Sequence, residues 1–244
     1  MDSPRVRILV ASPLARVIAG PLAAAMPHAT VVPAVDPLTV HREIKRAVRF
    51  DVVTTDLIWN RPELEYRFDG FDVLETLRRA ERAAPVLFTA QGHSVERDHF
   101  EEAIHRSDVA GVIEKVSGFE ALLNAVQATA YGRRPAEPVR PAGPPPLYTL
   151  FSGRRGRTAG RLAGAIAAGR ASDGASLAKA AGVAPNTANK VAGRYLGPII
   201  EQRREHDPEL PMTLATVYRW CGVHARYLVS WCRRNGYPEV VGAI

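Results

Sequence analysis

Short apolar runs and amphipathic segments alternate along the first 130 residues of the chain. Five of the runs are mostly apolar and rich in Val, Ile and Leu; they are residues 6–10, 30–35, 51–55, 85–90 and 110–113. Strands buried on both faces of a parallel sheet have this composition, whereas half-exposed strands alternate apolar and polar positions. The pattern therefore predicts five buried strands.

Between these runs, apolar residues recur at helical spacing. The predicted helices are residues 13–26, 38–48, 72–83, 94–105 and 118–131. In the last of them, Phe119, Leu122 and Val126 fall on one face. Five strand–helix units in this order predict a doubly wound α/β domain over residues 1–132. Ligands of such domains gather at the carboxyl ends of the strands.

The rest of the chain shows no strand-like alternation. Its helical segments are residues 157–168, 174–181, 185–196, 198–205, 214–221 and 225–235. Several of them are too short to be stable alone, so they must pack on one another. Residues 148–244 are thus predicted to form an all-α domain.

A proline-rich stretch and a change in charge separate the two predicted domains. Residues 133–147 include six prolines, which favour an extended linker. Residues 1–132 carry 15 Lys+Arg against 18 Asp+Glu, whereas residues 133–244 carry 17 against 7. A net charge of −3 followed by one of +10 indicates that the second domain meets a polyanion.

Composition excludes several broad classes of protein. The 244 residues are 46% hydrophobic and 23% charged, which argues against disordered, collagen-like and membrane proteins. No signal peptide is evident, so a cytoplasmic protein is expected. Cys221, His224 and Cys232 would supply only three zinc ligands, so we expect buried reduced thiols, no metal and no cofactor. No nucleophile with a base partner is visible, so we expect no enzyme.

Three polar residues stand at the ends of predicted strands. Asp56, Thr89 and Lys115 would converge at one sheet edge, where a carboxylate, a hydroxyl and an ammonium can bind a phosphoryl group. With the Asp69-Gly70 pair and the GxxxK run ending at Lys115, residues 5–132 resemble the receiver domains of response regulators. The resemblance implies a flavodoxin-like fold in which Asp56 is the phosphate acceptor.

The chain departs from this resemblance just after the first strand. Receivers carry there an acidic pair that holds Mg²⁺, and this chain has Ala11 and Ser12. A methyl group and a hydroxyl cannot replace two anionic ligands of a hard cation. We therefore expect Asp56 and Lys115 to form a structural ion pair in a receiver that works without phosphorylation. The alternative is a conventional regulator phosphorylated on Asp56. Residues 57–68 are unusually bulky and are expected to cover the site.

Residues 174–196 fit a helix-turn-helix. Apolar residues such as Leu177 and Val191 would lock two helices together, with Gly182 in the turn and Pro185 beginning the second helix. The outward face of that helix presents residues of the kinds that read base edges and phosphates: Asn186, Thr187, Asn189, Lys190 and Arg194. Residues 153–161 are interpreted as a flexible basic arm or as the solvated end of the linker.

This segment resembles the DNA-binding domain of LuxR/NarL-type response regulators. The resemblance implies a transcription regulator that binds double-stranded DNA, with the second motif helix in the major groove. It also implies a homodimer formed through the receiver, whose activity a small molecule or a protein could control. The chain departs from the family at residues 147–160, which lack an acidic helix start, and at Gly197-Pro198, which interrupts a later helix.

An internal repeat leaves a further question open. A shift of 40 residues places residues 176–197 over 216–237, with Gly182 on Gly222. Residues 214–236 are then either a second helix-turn-helix or a helical cap packed on the first. A second motif would present Arg226, Tyr227, Ser230, Arg233 and Arg234 to DNA. A protein-interaction adaptor, with the helices as a protein-binding array, is the remaining alternative function.

Overall fold

The computed structural model describes residues 6–46, 48–135 and 143–242. The chain divides into two compact units, Met1–Arg140 and Pro141–Ile244. The linker predicted at residues 133–147 lies partly outside the described residues, because 136–142 are not among them. In the parts of the chain that are described, no helix is both long and apolar enough to cross a membrane.

The first unit is built on a parallel sheet with the strand order β2-β1-β3-β4-β5. The strands are β1 (Arg7–Ala11), β2 (Thr30–Ala34), β3 (Val52–Asp56), β4 (Val86–Ala90) and β5 (Gly111–Glu114). Every residue of β3 and β4 is buried, as expected for central strands covered on both faces. The edge strand β2 contains Pro33, which a central strand would not tolerate.

In the described part of the first unit, five α-helices surround this sheet. They are α1 (Ala15–Ala25), α2 (Pro37–Lys45), α3 (Gly70–Arg79), α4 (Arg97–Ala103) and α5 (Gly118–Ala130). Successive strand residues point to opposite faces, so Val53 and Phe88 belong to one core cluster, and Ile8 and Leu87 to another. The predicted doubly wound α/β fold is confirmed.

The segment between β3 and α3 folds back on itself and adds to the core. Ile58 and Asp69 form an antiparallel bridge, and the rings of Trp59 and Phe68 meet edge to face with centroids 4.9 Å apart. Residues Pro62–Leu64 form a 3₁₀-helix between them. Because Trp59 is fully buried among core side chains, this segment extends the hydrophobic core.

Gly70 begins α3 where the backbone passes very close to the end of β3. A Cβ at this position would lie 2.6 Å from the carbonyl oxygen of Asp56 and 2.6 Å from the Phe88 ring. The Asp69 side chain caps the helix by accepting a hydrogen bond from the Phe71 amide. The Asp-Gly pair therefore starts α3 directly against the strand that carries Asp56.

Within residues 143–242 the second unit is helical, as predicted. Its α-helices are α6 (Leu147–Leu150), α7 (Gly153–Ala167), α8 (Gly174–Ala181), α9 (Pro185–Ala188), α10 (Gly197–Gln202), α11 (Leu214–Val223), α12 (Ala225–Arg234) and α13 (Pro238–Val241). A π-helix spans Val191–Leu196. The interpretation of residues 153–161 as a flexible arm is wrong, because they form the first half of α7.

Glycines at every fourth position allow α7 to lie directly against its neighbours. A Cβ at Gly160 would come within 2.4 Å of the Trp231 ring, and one at Gly164 within 2.2 Å of Cys232 Sγ. A Cβ at Gly156 would come within 2.4 Å of the Leu150 carbonyl oxygen. No side chain fits at these distances, so Gly160 and Gly164 allow the close approach of α7 to α12, and Gly156 that of α7 to residues 150–151.

A buried ion pair connects distant parts of the second unit. Arg203, which is 1% exposed, donates hydrogen bonds from Nε and Nη2 to Glu205 Oε1 at 3.1 and 2.9 Å. Its Nη1 donates to the Pro145 carbonyl at 3.3 Å. Glu205 Oε2 accepts a hydrogen bond from Trp220 Nε1 at 2.7 Å and lies 3.2 Å from His224 Nε2. The cluster joins the start of the unit to α10 and α11.

Candidate functional site

The carboxyl edge of the sheet is centred on the carboxylate of Asp56. Its Oδ1 accepts a 2.7 Å hydrogen bond from Thr89 Oγ1 and lies 2.8 Å from Lys115 Nζ. Its Oδ2 accepts a 2.8 Å hydrogen bond from Ser12 Oγ. Asp56 and Thr89 meet because they are paired in register across β3 and β4. The structure thus brings the predicted trio together and adds Ser12 to it.

This carboxylate is closed off from solvent. Asp56 is 4% exposed, and Ser12 and Thr89 are similarly buried. A buried charge is costly unless it is paired and hydrogen-bonded. The Lys115 ammonium and the two hydroxyls satisfy both carboxylate oxygens. The contacts are those of an ion pair that is complete without a ligand.

The residues at this edge do not fit a divalent cation. Mg²⁺ takes oxygen ligands in near-octahedral geometry and is usually held by carboxylates. After β1 stand Ala11 and Ser12, and the Asp56 carboxylate already has an ammonium beside it. Throughout the described ranges, no group of three His, Cys, Asp or Glu residues is placed to hold a metal.

A second feature of the same edge carried no signal in the sequence. The backbone N–H groups of Gln91, Gly92 and His93 all point at Glu96 Oε2, at 2.7, 2.9 and 3.4 Å. Convergent backbone N–H groups of this kind can bind an anion. Here a buried carboxylate of the chain itself occupies them, which anchors the loop between β4 and α4.

The second unit contains the predicted helix-turn-helix start. Asp173 caps α8 by accepting a hydrogen bond from the Ser176 amide at 2.8 Å. Gly182 ends the helix with a left-handed backbone, φ +59°. Its carbonyl accepts a 2.7 Å hydrogen bond from Arg161 Nη2 on α7. The turn therefore requires glycine, as predicted, and is fixed to the preceding helix.

The segment after the turn differs from the continuous helix predicted over residues 185–196. The α-helix α9 ends at Ala188, and the chain then passes into the π-helix Val191–Leu196 and directly on into α10. Gly197 and Pro198 therefore do not end the helix. A Cβ at Gly197 would lie 2.0 Å from the Ala192 carbonyl oxygen, and Pro198 has no N–H to donate within the helix.

The side chains predicted to contact DNA from this segment are accessible. Asn186, Asn189, Lys190 and Arg194 are exposed, and Thr187 is half-buried. Asn189 Oδ1 lies close to the start of α8, 2.7 Å from where a Gly174 Cβ would stand. The segment thus offers amide, hydroxyl, ammonium and guanidinium groups to solvent, and their contacts with DNA stay a prediction.

The predicted second helix-turn-helix differs from the first in its local geometry. Gly222, which aligns with Gly182, lies inside the helix α11, and only His224 separates α11 from α12. Tyr227 and Ser230 are 1% and 2% exposed, so the prediction that they face DNA is wrong. Both are buried side chains of α12. The remaining predicted contacts, Arg226, Arg233 and Arg234, are half-buried.

Both cysteines are buried in the core of the second unit. Burial raises the pKa of the Cys221 thiol well above its usual value and that of Cys232 to about 12. Cys232 Sγ lies 3.5 Å from the Gly160 carbonyl oxygen, to which it donates. His224, the third of the residues considered as zinc ligands, has its Nε2 atom 3.2 Å from Glu205 Oε2. The two cysteines are therefore protonated thiols that pack in the core.

Taken together, the described residues form a doubly wound α/β unit and a helical unit with a helix-turn-helix. The chain is similar in structure to RcsB from Salmonella enterica serovar Typhimurium bound to promoter rprA in the presence of phosphomimetic BeF3-. The identity is 11%, the TM-score is 0.52, and the match covers 90% of this chain and 99% of that one.

Two receiver structures each match about half of the chain. The Francisella response regulator 1452 receiver domain is 19% identical, with 52% of this chain and 98% of that chain covered and a TM-score of 0.41. A response regulator receiver protein from Sinorhizobium medicae is also 19% identical, with 53% and 98% covered and a TM-score of 0.41. No family model and no curated protein matches the sequence.

Proposed function

We propose that this protein is a sequence-specific DNA-binding transcription regulator with an atypical receiver unit. The observation that carries the proposal is the run of exposed hydrogen-bonding and cationic side chains after the Gly182 turn: Asn186, Asn189, Lys190 and Arg194. Asn pairs with adenine, and Arg or Lys with guanine, through the major groove. The net charge of +10 over residues 133–244 would add sequence-independent attraction to phosphates.

The fold supports the same proposal. The RcsB structure at a TM-score of 0.52 is of a protein bound to a promoter, and its match extends over both units of this chain. We infer that this chain also binds double-stranded DNA, as a homodimer joined through the receiver unit. Two copies would then read half-sites about one helical turn apart. Arg226, Arg233 and Arg234 would contact phosphates at most, because α12 is a core helix.

We further infer that the receiver unit acts without phosphorylation of Asp56. Phosphoryl transfer to a carboxylate needs cations that neutralise the developing negative charge. A divalent ion usually provides most of this neutralisation. Ala11 and Ser12 offer no such site, and Ser12 and Thr89 already bond both oxygens of Asp56. Regulation would then come through dimerisation or through a small molecule or protein partner.

Selection of duplexes from a random-sequence library by the full chain tests the proposed DNA binding. We expect a defined motif to be enriched. Asn189→Ala and Lys190→Ala should each weaken binding to the selected duplex about 10-fold or more at an unchanged Tm, since a good base contact is worth about 1–3 kcal/mol. Gln202→Ala, another exposed amide, is the matched control. Enrichment of no sequence, or an equal loss with the control, would overturn the proposal.

Incubation with acetyl phosphate and Mg²⁺, followed by intact-mass measurement, tests the receiver separately. We expect the mass to stay that of the unmodified chain. Stoichiometric gain of a phosphate that is lost in Asp56→Ala would instead identify a conventional regulator phosphorylated on Asp56.

A further inference from the structure

The first half of α7 presents arginines that have no acidic partner among the residues that the structure describes. Between residues 143 and 172 the sequence has five Arg and no Asp or Glu. Arg154 and Arg157 are both exposed, and neither forms a salt bridge with any described residue. At a spacing of three residues their side chains are neighbours on the helix surface. An uncompensated pair of guanidinium groups attracts an anion.

Two hydrogen-bonding contacts hold this part of α7 against the helix-turn-helix. Arg161 Nη2 donates to the Gly182 carbonyl in the turn, at 2.7 Å. Arg155 Nε donates to the Arg194 carbonyl in the π-helix, at 3.1 Å, and its Nη2 donates to the same oxygen. The arginines of α7 therefore lie beside the turn and beside the segment that follows it.

The Arg194 carbonyl receives its donor from α7. Pro198 has no N–H to offer to it. The Arg155 guanidinium donates to this oxygen. The contact attaches α7 to the segment that carries Lys190 and Arg194.

We propose that Arg154 and Arg157 bind the phosphodiester backbone of DNA beside the base-reading segment. The proposal rests on the proposed function. Guanidinium groups bind phosphate oxygens through pairs of N–H donors and keep their charge at any physiological pH. The two side chains would fix the position of the helix-turn-helix on the duplex and carry no sequence information themselves.

Salt titration of DNA affinity tests this assignment. The probe is a mixed-sequence 30-base-pair duplex, and the variants are Arg154→Gln/Arg157→Gln and the control Arg204→Gln/Arg219→Gln. The control residues are also exposed arginines of the same unit. For Arg154→Gln/Arg157→Gln we expect the slope of log binding constant against log salt concentration to become shallower by about 2. Each phosphate contact contributes about 0.9 to this slope. The control slope should not change. An unchanged slope in the first pair, or equal changes in both, would refute the proposal.

A second measurement separates this result from the proposed function. On the duplex selected by the full chain, the first pair of substitutions should keep the ratio of specific to mixed-sequence affinity within about threefold, because phosphate contacts do not discriminate bases. If the chain has no sequence preference and the slope still falls, the phosphate site stands and the proposed function fails. If preference exists and the slope is unchanged, the phosphate site fails and the function stands.

Discussion

The hydroxyl of Ser12 donates a 2.8 Å hydrogen bond to Asp56 Oδ2 at the carboxyl edge of the sheet. It occupies one carboxylate oxygen, while Thr89 and Lys115 engage the other. The result is a carboxylate that is neutralised and hydrogen-bonded by the chain itself.

Replacement of Ser12 by aspartate should convert this closed arrangement into one that depends on a cation. A second carboxylate beside Asp56 introduces repulsion between like charges in a buried place, so Ser12→Asp should lower the Tm by several degrees. Mg²⁺ at millimolar concentration should restore part of that loss, and should leave the wild-type Tm unchanged. Calorimetry with and without Mg²⁺ measures both effects.

Ser12→Ala is the control for this substitution. It removes the hydrogen bond to Asp56 without adding charge and should cost about 1 kcal/mol of stability. Its Tm should not respond to Mg²⁺. An equal response to Mg²⁺ in Ser12→Ala and Ser12→Asp would contradict our account of the site.

Gly70→Ala should destabilise the first unit by about 2 kcal/mol or more. The added methyl group would stand 2.6 Å from both the Asp56 carbonyl oxygen and the Phe88 ring, so the start of α3 or the end of β3 has to move. Urea unfolding of the variant measures the cost. Stability equal to wild type would show that α3 can shift freely, and would remove the role we assign to the Asp69-Gly70 pair.

The two glycines aligned by the sequence repeat should respond in opposite ways to alanine. Gly182 has φ +59°, and its Cβ would meet Arg161 Nη2 at 2.5 Å, so Gly182→Ala should destabilise by about 1 kcal/mol or more. Gly222 lies inside α11 with nothing within 4 Å of its Cβ position, so Gly222→Ala should stabilise by about 0.5 kcal/mol. Destabilisation at both positions would mean that the second segment is a true copy of the first. Denaturant titrations of the two variants decide this.

Glu205 should make stability fall in acid. Burial alone would raise its pKa, but hydrogen bonds from His224, Arg203 and Trp220 outweigh burial and lower the pKa from 4.5 to about 2. Because the pKa is lower in the folded state, the stabilisation is present above pH 4.5 and is lost as pH falls towards 2. The Tm of the wild type should therefore drop between pH 5 and pH 2, and Glu205→Gln should flatten part of that drop.

Glu75→Gln is the matched control for the acid dependence. Hydrogen bonds from Arg78 and Arg79 also lower the pKa of Glu75 to about 2, but both arginines lie on the surface and are more than 70% exposed. Screening by solvent makes such pairs weak. Near pH 7, Glu205→Gln should cost about 3 kcal/mol, because Arg203 stays buried without its charge partner. Glu75→Gln should cost far less, and equal costs would contradict the role of the buried pair.

The sheet was predictable because its strands have a local signature. Each predicted strand lies within one residue of the observed one at either end, since runs such as that of β4 are buried on both faces and are bounded by Pro, Gly or polar residues. The meeting of Asp56, Thr89 and Lys115 follows from the same pattern, because parallel strands end at one edge. The hydrogen bond of Ser12 depends on side-chain geometry that no periodicity encodes.

The helical unit was harder to predict, because there the packing partners decide the outcome. Residues 225–235 have the pattern of an amphipathic helix, yet Tyr227 and Ser230 are buried. Two glycines of α7, Gly160 and Gly164, allow α12 to approach closely. The end of α9 at Ala188 and the π-helix that follows have no counterpart in the apolar spacing of residues 185–196. Sequence spacing shows neither.

The glycine face of α7 has a consequence for how the second unit can be divided. Gly160 and Gly164 come before the helix-turn-helix in the chain. The side chains that fill the space above these glycines, Trp231 and Cys232, come after it. Removal of the residues after 213 would leave a bare glycine groove exposed to water. The helix-turn-helix therefore depends for its folding on both ends of the unit, and it cannot be transplanted to another protein as an isolated 23-residue motif spanning residues 174–196.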